Sequence, residues 1–202
     1  KELQELVVKE KADLGIAFDG DADRVGFIDE NGKRVGFDIV TALLCEYFLV
    51  KKGQKVLYDL RSSNIAKEHI ESLGGKTIVS RVGHSYIKQI MREKDVVFGG
   101  ELSGHYYFKD NYFADSGLIA VVVLISLMSK NKKKLSELVS PLNKYFQSGE
   151  INSTVKDVEK KLKEIETEYG DGKIIHLDGL SVYYDDWWCF LSSSNLLHGW
   201  AT

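Results

Sequence analysis

Cysteine is scarce, with two in 202 residues, and what is missing here narrows the class of protein first. Cys45 and Cys189 lie far apart and form no ligand pair; Cys45 sits inside an apolar run, which predicts a buried thiol and a reducing, cytoplasmic setting. A basic excess is also missing: 27 Lys+Arg against 30 Asp+Glu leave a net charge of −3. Such a chain has no field to draw in nucleic acid or an anionic membrane. The N-terminus, KELQELVVKEKADLG, has neither the apolar region nor the small-residue cleavage site of a signal peptide. The longest apolar stretch, GLIAVVVLISLM, is far short of the roughly 20 residues a bilayer span needs and reads as a buried helix. Internal repeats and low-complexity tracts are missing too, and the expectation is a soluble protein.

What remains is an ordinary core-forming composition, 44% hydrophobic and 28% charged, enough for one large domain or two small ones. Short apolar strands alternate with amphipathic helices. LGIAF (14–18) reads as a buried strand, and VGFID (25–29) with KRVGF (33–37) as a hairpin turning at Asn31-Gly32 in the type I′ manner. Asp38 can N-cap a helix running to Val50, and Ser62 or Ser63 one running to Leu73. Strands are expected at 55–60, 76–80 and 95–100, a helix at 85–93, another from Ser116 to Met128, and a short one ending near Pro141. This order predicts an α/β fold: a mixed, partly parallel sheet with helices on both faces. The style changes after residue 147. EINSTV is expected as a strand, 156–170 as a charged helix and 173–191 as strands with tight turns, so a smaller α+β domain should follow a boundary near 145–149.

Two stretches carry chemistry. In FDGDADR, Asp19, Asp21 and Asp23 stand at alternate positions in a loop leaving a strand. Their oxygens can converge, and without a cation that is unfavourable. A hard divalent ion with oxygen ligands removes the conflict. The calcium loop of EF-hands fits the three acids, but Arg24 stands where glycine is required and the flanks read as strands. The D-x-D-x-[TV] pattern of aspartyl-phosphate phosphatases fails at Asp23. Arg24 beside a metal suits phosphate, with the ion neutralising one side and the guanidinium the other. In FGGELSGHYYF, Glu101, Ser103 and His105 alternate among glycines: a carboxylate and a hydroxyl for vicinal hydroxyls of a sugar, and an imidazole for phosphate or proton transfer. A third loop, RVGHS, exposes His84 at a helix start, where anions bind well. Loops at strand C-termini collect ligands in α/β folds, and these three agree on a phosphorylated sugar.

Together the three motifs resemble the α-D-phosphohexomutases, in particular the bacterial phosphomannomutase/phosphoglucomutase type, in order and spacing over residues 1 to about 180. The resemblance implies Mg²⁺ on Asp19, Asp21 and Asp23, with Arg24 as an active-site cation. It implies Arg61 in YDLRSS and His84 in VGHSYIK as substrate contacts, Glu101 and Ser103 on the sugar 3- and 4-hydroxyls, and His105 as a candidate general base. Leu102 within G-E-x-S-G-H favours the mannose/glucose mutases over the phosphoglucosamine mutases. The domains implied are the end of family domain 2 (1–34), domain 3 (35–147) and a partial or degenerate domain 4 (148–202). The activity implied is interconversion of hexose 6-phosphate and hexose 1-phosphate through a phosphoserine and a bisphosphate.

Departures accompany the likeness. Family members are about twice as long, and nothing here matches their T-A-S-H-N-P-like serine segment, so an N-terminal phosphoserine domain is the expected missing partner and the chain alone is expected to be inactive. Ser192 and Leu196 stand where the family's phosphate loop has Arg and Thr, although Ser194-Asn195 are retained; the ending resembles a shifted frame or a degenerate terminus. The alternatives are a non-catalytic sugar-phosphate and metal-binding module or subunit, and an aspartyl-phosphate phosphatase.

Overall fold

The computed structural model describes residues 1–192. In chain order the elements are α1 (Glu2–Glu10), β1 (Leu14–Phe18), β2 (Val25–Asp29), α2 (Phe37–Phe48), β3 (Lys55–Asp59), α3 (Asn64–Ser72), β4 (Lys76–Ser80), α4 (His84–Lys94) and β5 (Val96–Gly100). They continue as β6 (Tyr106–Phe108), β7 (Ala114–Asp115), α5 (Gly117–Asn131), α6 (Leu135–Val139), α7 (Val158–Glu168), β8 (Lys173–Ile175), β9 (Leu180–Tyr183) and β10 (Trp188–Leu191). Two compact units divide the chain, Lys1–Phe146 and the part from Gln147 onward.

The first unit is built on a five-stranded sheet in the order β4-β3-β5-β6-β7. β3 pairs in parallel with both β4 and β5, whereas β6 and β7 are added antiparallel. Strand periodicity sorts side chains between two cores. Val56, Tyr58, Phe98, Tyr106 and Phe108 join α2, α3 and α5 on one face. Leu57, Val96 and Tyr107 meet Ile87 and Met91 of α4 on the other. The sheet is therefore mixed and covered by helices on both faces, as the alternating pattern predicts. In this order β3 lies between β4 and β5. The chain reverses direction across the sheet at β3/β5, and the crevice outside the carboxyl ends of these strands is where such folds bind ligands.

The N-terminal elements differ from expectation in detail. β1 and β2 form the antiparallel hairpin, and the three acids occupy the loop that joins them. LGIAF is only partly buried, with Ala17 and Phe18 exposed. KRVGF contributes one isolated bridge, Ile28 to Arg34, because α2 already starts at Phe37. Of the Asn31-Gly32 pair only Gly32 has positive φ, at 76°, so the turn is not type I′. Asp38 lies inside α2 and not before it; its carboxylate accepts the Ser63 N–H at 3.2 Å, at the N-cap of α3, and the Ile39 N–H at 2.9 Å.

The second unit holds α7 and an antiparallel sheet in the order β10-β9-β8, an α+β arrangement. EINSTV forms no strand: 145–155 has no helix or strand, and 146–160 is exposed throughout. Ser194, Asn195 and Leu196, set against the family's phosphate loop by sequence, lie outside the described residues.

Candidate functional site

The acid loop is compact because of Arg24. The Arg24 N–H and Nε donate to the two oxygens of Asp19 at 3.2 and 2.7 Å, and the Ala22 N–H donates to the Asp19 carbonyl at 3.3 Å. Ala22, not Gly20, takes the left-handed conformation, with φ of 63°. That residue type tolerates the region at a cost of about 1 kcal/mol. Burial acts to raise the Asp19 pKa, but the Arg24 bonds outweigh it and hold the carboxyl below its ordinary range. Asp19, Asp21 and Asp23 can each offer an oxygen within 4.8 Å of the others. The buried Asp23 Oδ1 has no hydrogen-bond partner; its nearest cation is Arg24 Nε at 3.7 Å. Clustered oxygens with one unsatisfied atom are the donor set a hard divalent cation takes, so the residues fit Mg²⁺.

The second loop, 101–105, leaves β5 and returns into β6. It closes on itself through Glu101 N–H to the His105 carbonyl at 3.0 Å and Gly104 N–H to the Glu101 carbonyl at 3.1 Å. Two bonds join it to the acid loop. The Val25 N–H donates to the Gly104 carbonyl at 3.1 Å, and His105 Nε2 lies 3.2 Å from Asp23 Oδ2. On the other side of the ring, Nδ1 is 2.9 Å from Ser103 Oγ and 3.4 Å from Glu101 Oε2. Partial burial would lower the His105 pKa, but Glu101 and Asp23 beside its two nitrogens outweigh that and raise it.

Glu101 is 3% exposed. Its Oε2 accepts from Tyr107 Oη at 2.7 Å, and its Oε1 accepts the Gly83 N–H at 3.3 Å and lies 3.9 Å from Arg61 Nη2. Burial pushes this carboxyl up, yet the bonds from His105, Tyr107 and Gly83 bring it below the usual value. It therefore stays an anion, and burial together with the adjacent carboxylate pushes the Tyr107 phenol far up.

The structure thus gathers Asp19, Asp23, Arg24, Glu101, Ser103 and His105 through direct contacts, with Asp21 beside the other two acids and Arg61 at the edge. His84 is the first residue of α4 and is exposed; its loop reaches the group through the Gly83 N–H on Glu101. Sequence reasoning missed three participants. Asp59, at the end of β3, accepts from Arg61 Nη2 at 2.7 Å and from the Leu102 N–H at 2.8 Å. Asp115 approaches His105 Nε2 at 4.0 Å and pairs with Lys88 at 2.7 Å. The carboxylate in YDLR was a signal at a strand end; nothing marked Asp115 or Lys88.

Known proteins resemble this chain both in sequence and in structure. The family model described as phosphoglucomutase/phosphomannomutase, alpha/beta/alpha domain III, matches residues 37–145, and the corresponding domain II model matches residues 1–32. The chain is 43% identical over 196 residues to a phosphomannomutase of Methanocaldococcus jannaschii, covering 96% of this chain and 44% of that protein. It is 37% identical over 193 residues to a phosphomannomutase of Escherichia coli K12, covering 94% and 42%. A crystal structure of a phosphoglucomutase/phosphomannomutase family protein from Burkholderia thailandensis superimposes with a TM-score of 0.79 at 26% identity, over 96% of this chain and 43% of that one. The chain thus spans less than half the length of the relatives it matches.

Proposed function

The chain belongs to the phosphoglucomutase/phosphomannomutase family, and we propose that it is the metal- and sugar-binding part of a Mg²⁺-dependent phosphohexomutase. The reaction interconverts hexose 6-phosphate and hexose 1-phosphate: a phosphoserine gives its phosphoryl group to one sugar oxygen and recovers one from the other, by way of a bisphosphate. The serine belongs to a further domain of the whole protein, outside this chain. Asp19, Asp21 and Asp23 would hold Mg²⁺, which supplies charge neutralisation at the phosphoryl oxygens.

The remaining roles belong to this chain's own groups. Arg24, fixed by Asp19, presents a cation beside the phosphoserine. Arg61 and His84 contact the substrate, Arg61 as a cation for its phosphate and His84 at a helix N-terminus that favours anions. Ser103 and the Glu101 carboxylate take the sugar hydroxyls. His105 lies between Asp23 and Glu101, within reach of both loops, and is the group to take up and return the hydroxyl proton. The observation that carries this reading is the pair of bonds joining the two loops, Val25 N–H to the Gly104 carbonyl and His105 to Asp23. They support it by holding the acid cluster next to the loop that carries Glu101, Ser103 and His105.

The aspartyl-phosphate phosphatase reading is not favoured. Asp23 stands where its D-x-D-x-[TV] pattern has Thr or Val, and the matching family models and relatives are phosphoglucomutases and phosphomannomutases. A non-catalytic module or a subunit completed by a separate polypeptide differs from the main reading only in what accompanies the chain. Turnover separates them. The isolated chain converts no glucose 1-phosphate to glucose 6-phosphate. A complete protein containing it, with the serine-bearing part, does so with Mg²⁺ and loses at least about 100-fold in kcat on Asp23→Asn. Conversion by the chain alone, or an unaffected Asp23→Asn enzyme, overturns the proposal.

A further inference from the structure

A buried carboxylate is tolerated only when donors satisfy it, and the donors of Asp59 come from two separate parts of the site. Asp59 is 0% exposed and ends β3, opposite Ser80 of β4 in register. Its Oδ1 accepts the Arg61 N–H at 2.8 Å. Its Oδ2 accepts from Arg61 Nη2 at 2.7 Å and also from the Leu102 N–H at 2.8 Å. The bond within 59–61 is an ordinary local turn. The bond to Leu102 reaches 43 residues along the chain, into a loop that already closes on itself through Glu101, Gly104 and His105. One oxygen thus joins the Arg61 side chain to the loop that carries Glu101, Ser103 and His105.

We infer that Asp59 is the positioning residue that sets the Arg61 guanidinium and the 101–105 loop at one spacing, so that an anionic group and the hydroxyls of a single sugar phosphate are gripped together. This rests on the reading of the site as a hexose phosphate site. Asp59 touches no substrate; it acts through Arg61 and through the Leu102 backbone. Three charge-assisted bonds converge on this one buried group, which makes it a demanding position.

The test uses this chain with glucose 1-phosphate as the probe. Asp59→Asn should weaken its Kd by roughly tenfold or more, since one charge-assisted partner is lost. In an Arg61→Ala background the same change should cost less than in the parent, because only the Leu102 arm is left to lose. Hydrogen exchange at the Leu102 amide should speed up in Asp59→Asn and stay slow in Arg61→Ala. Should Asp59→Asn fail to fold, Asp59→Glu keeps the charge and carries the same expectations, since its longer side chain cannot serve both partners. Unchanged Kd with a protected Leu102 amide, or losses that simply add in the double variant, would overturn the inference. If the wild-type chain does not take up glucose 1-phosphate, the substrate reading fails, and amide exchange at Leu102 alone decides the role of Asp59.

Discussion

A single imidazole at the centre of this site has a carboxylate on each side. His105 meets Asp23 through Nε2 and Glu101 and Ser103 through Nδ1, so it transmits the position of one loop to the other. Gly104 makes that placement possible. Its φ is 95°, and a Cβ there would come within 2.9 Å of Phe37 Cε1. Gly104→Ala should therefore cost about 1–3 kcal/mol of stability and displace His105. Thermal denaturation and the His105 ring signals by NMR check this; a variant as stable as the parent with unmoved signals would contradict it. Alternating acids and the E-x-S-x-H run were legible because they are local patterns of unusual chemistry. Asp115 was not, since it acquires its role from partners elsewhere in the chain and looks, locally, like any aspartate at a strand end, and YDLR did not show that Asp59 also bonds Leu102, 43 residues on.

At the scale of elements, the acid loop is the connection of a β-hairpin, and α6 is attached to that same hairpin. Glu30, just after β2, accepts from the Ser136 hydroxyl and from the Ser136 N–H at 3.3 Å, in the first turn of α6. Burial tends to raise the Glu30 pKa, but the Ser136 bonds outweigh it and lower it. A depressed folded-state pKa adds stability above the unfolded value and loses it as pH falls through the folded value. Glu30→Gln should thus be less stable than the parent by about 0.5–1 kcal/mol at pH 7, the lower end for such bonds in a half-exposed group. The difference should shrink below about pH 4, near the ordinary glutamate pKa. Denaturation at both pH values reads it out, and an equal or growing gap at low pH would count against the cap. The strands and helices of the parallel layer were readable because apolar periodicity survives burial on two faces. KRVGF and EINSTV were misread for opposite reasons. α2 claims Phe37 for its first turn, leaving one bridge behind, while 151–155 finds no strand partner and stays exposed despite its β-branched residues.

Over the molecule as a whole, every residue assigned to the site lies in the unit Lys1–Phe146, and none in the part from Gln147 onward. The β-hairpin with its acids and the five-stranded sheet with its sugar-type loop meet inside that unit, so divalent-cation binding should be a property of this chain. Among the described residues no helix is long and apolar enough to cross a membrane. Titration calorimetry of Mg²⁺ into the 202-residue chain, beside a variant carrying Asp19→Asn, Asp21→Asn and Asp23→Asn, is the most direct measurement. The account predicts saturable uptake of one ion per chain, and loss of that uptake in a variant that keeps its far-UV circular dichroism. Absence of saturable uptake by the parent chain, or equal uptake by the variant, would contradict it.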